Sequence, residues 1–275
     1  MKIIQEIFRQ HNLSVVSYEP LHGGDINQVY RVTTDKGDFV LKRNDAIEFP
    51  KMFEAEAEGL AALRATNTFI IPDVVGVDSF EQSAFLILEF LPAANPSNWS
   101  IFGEQLAALH QHTREVFGFG DNYIGSLPQS NSAATNPVTY FISERLEPQF
   151  QLARKSGYAF NTDTLFKRLV DIIPDEPASL IHGDLWSGNY LSTPNGFALI
   201  DPAVAYAPRE MDVAMMKLFG GFPKVVFEAY DASFPVMPGF DRRLEIWQLY
   251  YLLVHLNLFG RAYLSQVNGI LNRFG

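Results

Sequence analysis

The chain has 275 residues, 47% apolar and 13% aromatic, enough material for a large core and too much for a disordered segment. With 31 acidic against 21 basic residues the formal charge is −10, and acidic residues are in excess on both sides of residue 92. A general nucleic-acid binder needs a basic face, so that class is disfavoured; the absence of cysteine also removes disulfides, thiolate zinc sites and cysteine nucleophiles.

Ile3, Ile4, Ile7 and Phe8 recur at helical spacing, and Asn12 is a natural stop for that helix. Glu6 interrupts this stretch before any signal-peptide core develops. Leu21-His22-Gly23-Gly24-Asp25 reads as a glycine turn, followed by a strand at residues 29–32. Asp35-Lys36-Gly37-Asp38 reads as a hairpin turn and residues 39–42 as the return strand. Residues 51–66, rich in Glu, Ala and Leu, predict a helix, and 74–77 and 84–90 two further strands. This order predicts a small antiparallel sheet carrying one helix.

Two prolines within Leu91-Pro92-Ala93-Ala94-Asn95-Pro96 suit a hinge. Beyond it the pattern predicts helices at 101–112, 138–155, 163–172, 210–218 and 244–263, with a polar loop over 118–136. His110 and His112 fall on different sides of the first of these and find no partner in the pattern, so they read as helix-end residues. His255 reads as a satisfied core histidine. The longest apolar run, Leu249–Val254, is far short of a membrane span, so a cytoplasmic protein with no membrane partner is expected. The expected organisation is a β-rich lobe over residues 1–91 and a larger helical lobe over 92–275.

The most informative stretch is His182-Gly183-Asp184-Leu185-Trp186-Ser187-Gly188-Asn189, followed after a short hairpin by Leu199-Ile200-Asp201-Pro202. An Asp, an Asn five residues on and a second Asp make a phosphoryl-transfer arrangement. Asp184 can take a hydroxyl proton, while Asn189 and Asp201 supply hard oxygen ligands to Mg2+. The protein-kinase catalytic loop has the same Asp-to-Asn spacing, with His two residues before the Asp. Such a site also needs a lysine for the ATP phosphates and a helix glutamate to hold it. Lys42 ends the second predicted strand. Of Glu54, Glu56 and Glu58, Glu56 lines up with Leu60 and Leu63 on one helical stripe and is the expected partner. Gly23 and Gly24 precede the first strand, where a phosphate-covering loop belongs. The strand ending in Glu89-Phe90-Leu91 runs into the hinge, so the backbone there can bond an adenine edge.

Trp186 stands where Ser/Thr protein kinases commonly place a lysine, and only eight residues (202–209) separate Asp201 from Glu210. That leaves little room for an activation loop, so a small-molecule phosphotransferase is expected. Met52-Phe53-Glu54-Ala55-Glu56, Asp121-Asn122-Tyr123-Ile124-Gly125, Pro128-Gln129-Ser130-Asn131 and Arg145-Leu146-Glu147-Pro148-Gln149 all resemble fructosamine kinases, or ketosamine-3-kinases. So do the His182–Asn189 stretch, Asp201-Pro202-Ala203, Arg209-Glu210-Met211-Asp212 and Leu218-Phe219-Gly220-Gly221-Phe222.

The resemblance implies an α+β, protein-kinase-like bilobal fold related to aminoglycoside phosphotransferases. It implies ATP-dependent phosphorylation of the 3-hydroxyl of ketosamines, the sugar adducts of lysine, which then decompose and release the amine. Carried over, it makes Asp184 the proton acceptor, Asn189 and Asp201 the magnesium ligands, and Lys42, Glu56 and residues 89–91 the nucleotide site. Asp212 would buttress the catalytic loop, and the Trp186 ring is expected to wall the acceptor pocket. The implied partner is a small-molecule or protein-bound glycated amine. Ala205, Ala207, Pro208 and Pro137 depart from the family pattern, in the lobe expected to hold the acceptor. A kinase for another small hydroxyl compound (an aminoglycoside, choline or a sugar) and an idle kinase-like binding protein are the alternatives.

Overall fold

The computed structural model describes residues 2–21, 26–95 and 98–275, with Lys2 as backbone only. The chain forms two compact units. Met1–Pro96 with Tyr190–Asp201 make the first, and Ser97–Asn189 with Pro202–Gly275 the second.

In the first unit, α1 (Lys2–Gln10) precedes β1 (Val15–Pro20), β2 (Gln28–Thr34), β3 (Gly37–Asp45), α2 (Met52–Arg64), β4 (Val74–Phe80) and β5 (Ser83–Glu89). The strands form one antiparallel sheet in the order β1-β2-β3-β5-β4. Ile4, Ile7 and Phe8 of α1 are buried with Val32, Leu41, Phe85 and Ile87, so α1 covers one face. Side chains alternate across a strand. With Leu41 beneath α1, Lys42 is therefore turned to the opposite face, toward α2. Ala84–Leu88 of β5 are all buried, as expected of a strand covered on both faces. On α2, Phe53, Leu60 and Leu63 are buried along a stripe that includes position 56, whereas Glu54 and Glu58 are exposed. The strand β1 was not foreseen from the sequence.

The hairpin Tyr190–Thr193 with Gly196–Leu199 also belongs to this unit. Ile70 donates its N–H to Phe197 O and accepts from Leu199 N, and Ala94 N donates to Ser192 O.

The second unit is mostly helical: α3 (Trp99–His110), α4 (Pro137–Tyr140), α5 (Glu147–Lys155), α6 (Asp163–Ile172), α7 (Glu210–Phe219), α8 (Lys224–Ser233), α9 (Phe240–Phe259) and α10 (Leu264–Phe274). Asn98 caps α3 by accepting from Ser100 N, and α3 packs so closely on α8 that a Cβ at Gly103 would lie 2.2 Å from Val226 O. A π-helical stretch, Phe141–Leu146, separates α4 from α5 where a single helix was expected. Pro148 has no N–H for the carbonyl of Glu144; the Arg145 guanidinium donates to that carbonyl instead, at 3.0 Å. The helix α9 is buried nearly all round from Ile246 to Leu256 and forms the core of this unit. It ends at Gly260, so the expected 244–263 helix is in fact most of α9 and a short 3-10 turn, and α10 beyond it was not foreseen. The strand Ala178–Ile181 lies between Thr113–Arg114 and Ala205–Ala207 in a three-stranded sheet and runs straight into His182.

His255 is half-buried, with its Nδ1 2.8 Å from Tyr251 O and its ring against Phe219, Phe259 and Tyr263. Burial holds its pKa below the ordinary histidine value, against the hydrogen bond to Tyr251. Among the described residues no helix is long and apolar enough to cross a membrane.

Candidate active site

In the first unit, Lys42 Nζ lies 2.5 Å from Glu56 Oε1 and 2.5 Å from Asp201 Oδ1. The Lys42 side chain is only 6% exposed, whereas that of Asp201 is 45% exposed. Burial works against the ammonium, but the charges of Asp201 and Glu56 outweigh it and raise its pKa above the ordinary lysine value. Two carboxylates share this one cation. Burial and the neighbouring Asp201 charge accordingly push Glu56 up, against the pull of Lys42. Asp201 follows the last strand of the hairpin with φ 55, a left-handed conformation that a non-glycine residue adopts only when its surroundings hold it there.

The backbone N–H of Glu89 donates to Asp73 O at 2.8 Å, and Phe90 lies under the Arg31 guanidinium at 4.4 Å. Leu91 is half-buried. Gly23 and Gly24 lie outside the described residues.

In the second unit, His182 and Gly183 turn sharply out of the strand Ala178–Ile181. Gly183 has φ +84, and a Cβ there would lie 2.0 Å from Ala203 O, so no side chain fits. The turn is held from three directions. Ala203 N donates to His182 O at 2.9 Å, and the Tyr251 hydroxyl donates to Gly183 O at 3.1 Å. The carboxylate of Asp212, fully buried on α7, accepts from His182 N at 2.8 Å and from Gly183 N at 2.9 Å. Asp184 follows, half-buried, and the Asn189 carboxamide donates to its backbone oxygen at 2.8 Å and to its Oδ2 at 3.1 Å. One residue of this loop thus orients the carboxylate of another.

Trp186 is 39% exposed, and its ring folds over Gly188, where a Cβ would lie 2.3 Å from the ring. Gly221, with φ +87, approaches Ser187 just as closely, at 2.4 Å for the same virtual atom. The structure therefore brings Lys42, Glu56 and Asp201 together in one unit, and Asp184, Trp186 and Asn189 together in the other.

His110 corrects half of the sequence expectation. It does end α3, but it is not without partners: it is fully buried, with Nε2 3.2 Å from Asp212 Oδ2 and Nδ1 2.9 Å from the Tyr230 hydroxyl. Tyr230 and Tyr251 were also missed. Their partners stand far off in sequence, and the only available signal was a polar residue inside an apolar helical pattern.

Among the described residues no group of three or more His, Cys, Asp or Glu side chains could cage a metal. The carboxylate of Asp201 in the first unit and the carboxamide of Asn189 in the second are each the kind of hard oxygen donor that magnesium takes, an ion that commonly completes its shell with water and substrate phosphates.

Residues 1–274 match the family model described as fructosamine kinase. A protein of Vibrio parahaemolyticus named "probable ketoamine kinase" is 39% identical over 262 residues, covering 92% of this chain and 90% of its own. A crystal structure of a "putative fructosamine-3-kinase" from Haemophilus somnus has a TM-score of 0.91 at 27% identity, covering 98% of this chain and 96% of that one. Spectinomycin phosphotransferase, solved with ADP and spectinomycin, has a TM-score of 0.64 at 14% identity, covering 96% and 88%, a likeness of fold alone. The fold is thus the α+β fold of kinase-like phosphotransferases.

Proposed function

Since the chain belongs to the fructosamine kinase family and is an ATP-dependent kinase, we propose that it phosphorylates the 3-hydroxyl of ketosamines. The products, phosphorylated fructosamine or ribulosamine adducts of lysine, then decompose and release the amine. One observation supports the assignment most directly: a half-buried Asp184 oriented by Asn189 on a tightly anchored loop, in a chain that matches the family model over residues 1–274.

In this reading Asp184 accepts the proton of the acceptor hydroxyl as its oxygen attacks the γ-phosphorus, and ADP leaves. Lys42, held by Glu56, meets the phosphates of ATP. Asn189 and Asp201 would hold magnesium, which when bound would withdraw charge from those phosphates. The adenine edge is met by backbone at Glu89, Phe90 and Leu91; with the Glu89 N–H committed to Asp73, the Glu89 carbonyl and the Leu91 backbone carry that contact. The Trp186 ring walls the acceptor pocket. The enzyme is cytoplasmic, and its partner is a glycated amine, free or on a protein.

The deciding experiment is a panel of acceptors scored for phosphate transfer from ATP. Glycated lysine should be phosphorylated far faster than free hexose, ribose, choline or an aminoglycoside. Trp186→Ala should raise KM for that acceptor and leave ATP affinity unchanged, since stacking and cation–π contacts are worth about 0.5–2 kcal/mol. Free sugars as the better acceptors would sink the ketosamine reading, and no turnover with any acceptor would favour an idle binding protein.

The metal roles have their own check. Asp201→Ala should abolish the magnesium dependence of nucleotide binding more severely than Asn189→Ala, because only the carboxylate supplies charge. Calorimetric titrations with and without magnesium measure this. An unchanged magnesium effect in Asp201→Ala would exclude that residue as a ligand.

A further inference from the structure

The buried polar chain that ends at Gly183 of the catalytic loop begins at Arg209, 26 residues further along the sequence. A guanidinium only donates hydrogen bonds. Arg209 Nη1 lies 3.1 Å from the Tyr230 hydroxyl oxygen, which must accept there, and burial keeps that phenol protonated at neutral pH. The phenolic hydrogen is then left for His110 Nδ1, 2.9 Å away. An Nδ1 that accepts carries no proton, so the ring proton sits on Nε2, which faces Asp212 Oδ2 at 3.2 Å. Asp212 can then use its oxygens to accept from His110, His182 and Gly183 together.

The alternatives fail on the same geometry. In the Nδ1–H tautomer a lone pair on Nε2 would face the Asp212 carboxylate. In that tautomer and in the imidazolium alike, the Tyr230 oxygen would accept twice, leaving its own buried hydrogen without an acceptor among the described residues. Arg209 is itself fixed by Glu176 Oε1 at 2.7 Å, Phe234 O at 2.9 Å and Pro235 O at 2.6 Å, so the first donor in the chain cannot turn away.

We propose that Arg209, acting through the Tyr230 hydroxyl, fixes His110 as the neutral Nε2–H tautomer, and that Tyr230 is thereby a positioning residue for Asp184. The proposal rests on Asp184 being the proton acceptor and adds what holds its loop in register. Every hydrogen bond from Arg209 to Asp212 runs in one direction, each group donating to the next, and the carboxylate at its end also accepts from the backbone N–H groups of His182 and Gly183.

The test uses the full chain, labelled with 15N, and long-range proton–nitrogen spectra of the imidazoles, with His110 assigned by its absence from His110→Gln. Wild type should show His110 as Nε2–H alone, and Tyr230→Phe, which keeps the ring, should show a mixture or the Nδ1–H form. Tyr230→Phe should also lower kcat about tenfold, the kinetic equivalent of roughly one hydrogen bond. KM for ATP and for the acceptor should stay within about twofold. An Nδ1–H ring or an imidazolium in wild type overturns the proposal. So does a Tyr230→Phe protein that loses thermal stability with tautomer and kcat unmoved, the behaviour of a merely packing hydroxyl. A shifted tautomer with unchanged kcat removes the positioning role. The spectra need no substrate and kcat is read with whichever acceptor wild type uses, so failure of the ketosamine reading is seen separately in the acceptor panel.

Discussion

Asp184→Asn lowers turnover by roughly 10²-fold or more, the usual scale for losing a general base, while nucleotide affinity and thermal stability stay close to wild type. The reason is local. The replacement keeps the size of the side chain, and its amide oxygen can still accept from the Asn189 carboxamide, now 3.1 Å from Asp184 Oδ2. The turn before it is held by Asp212, Tyr251 and Ala203 through the backbone groups of His182 and Gly183, which the replacement leaves in place. What disappears is the carboxylate proposed to accept the hydroxyl proton. Steady-state kinetics with saturating ATP and the best acceptor of the panel give the number, and turnover within threefold of wild type would remove Asp184 from the chemistry.

Asp212→Ala has its large effect on folding. It leaves the N–H groups of His182 and Gly183 and the Nε2 of His110 without their buried acceptor. Each buried donor left without an acceptor costs about 1–3 kcal/mol, and three are stranded together. Asp212→Asn helps little, because whichever way the amide turns, its NH2 faces a backbone N–H. Both variants should lower the midpoint of chemical denaturation sharply, and activity should fall with it. A midpoint within experimental error of wild type in Asp212→Ala would show that the carboxylate is dispensable to the loop.

Local patterns were legible in the sequence wherever the signal was local. The Glu56 stripe with Leu60 and Leu63, the turn at Asp35–Asp38 and the helix over 163–172 all follow from periodicity and turn chemistry. The family and the kinase-like fold were legible in the motifs. What escaped was carried by distant partners. The strand β1 has a mixed, half-exposed pattern and is a strand only because β2 pairs with it. The π-helical stretch depends on how Arg145 packs, since its guanidinium bonds Ser130 O, Asn131 and Tyr140. The helix α8 has a buried side of only Val226 and Tyr230, too thin a stripe to stand out. The role of His110 needs Tyr230 and Asp212, neither near it in sequence. Gly188 and Gly221 look like ordinary loop glycines until the Trp186 ring and Ser187 are seen to occupy the space of their missing side chains.

The hairpin Tyr190–Asp201 has a consequence for how the protein is made. Its two strands belong to the first unit, where Phe197 and Leu199 bond Ile70, yet they are translated about a hundred residues after Pro96. At ribosomal speeds of about 5–20 residues per second, that is a wait of roughly 5–20 s. During it the nascent sheet has the backbone groups of Ile70 unpaired. Order of emergence therefore favours completion of neither unit before residue 201 has left the ribosome, and a fragment ending at residue 96 is an unfinished domain rather than a small one.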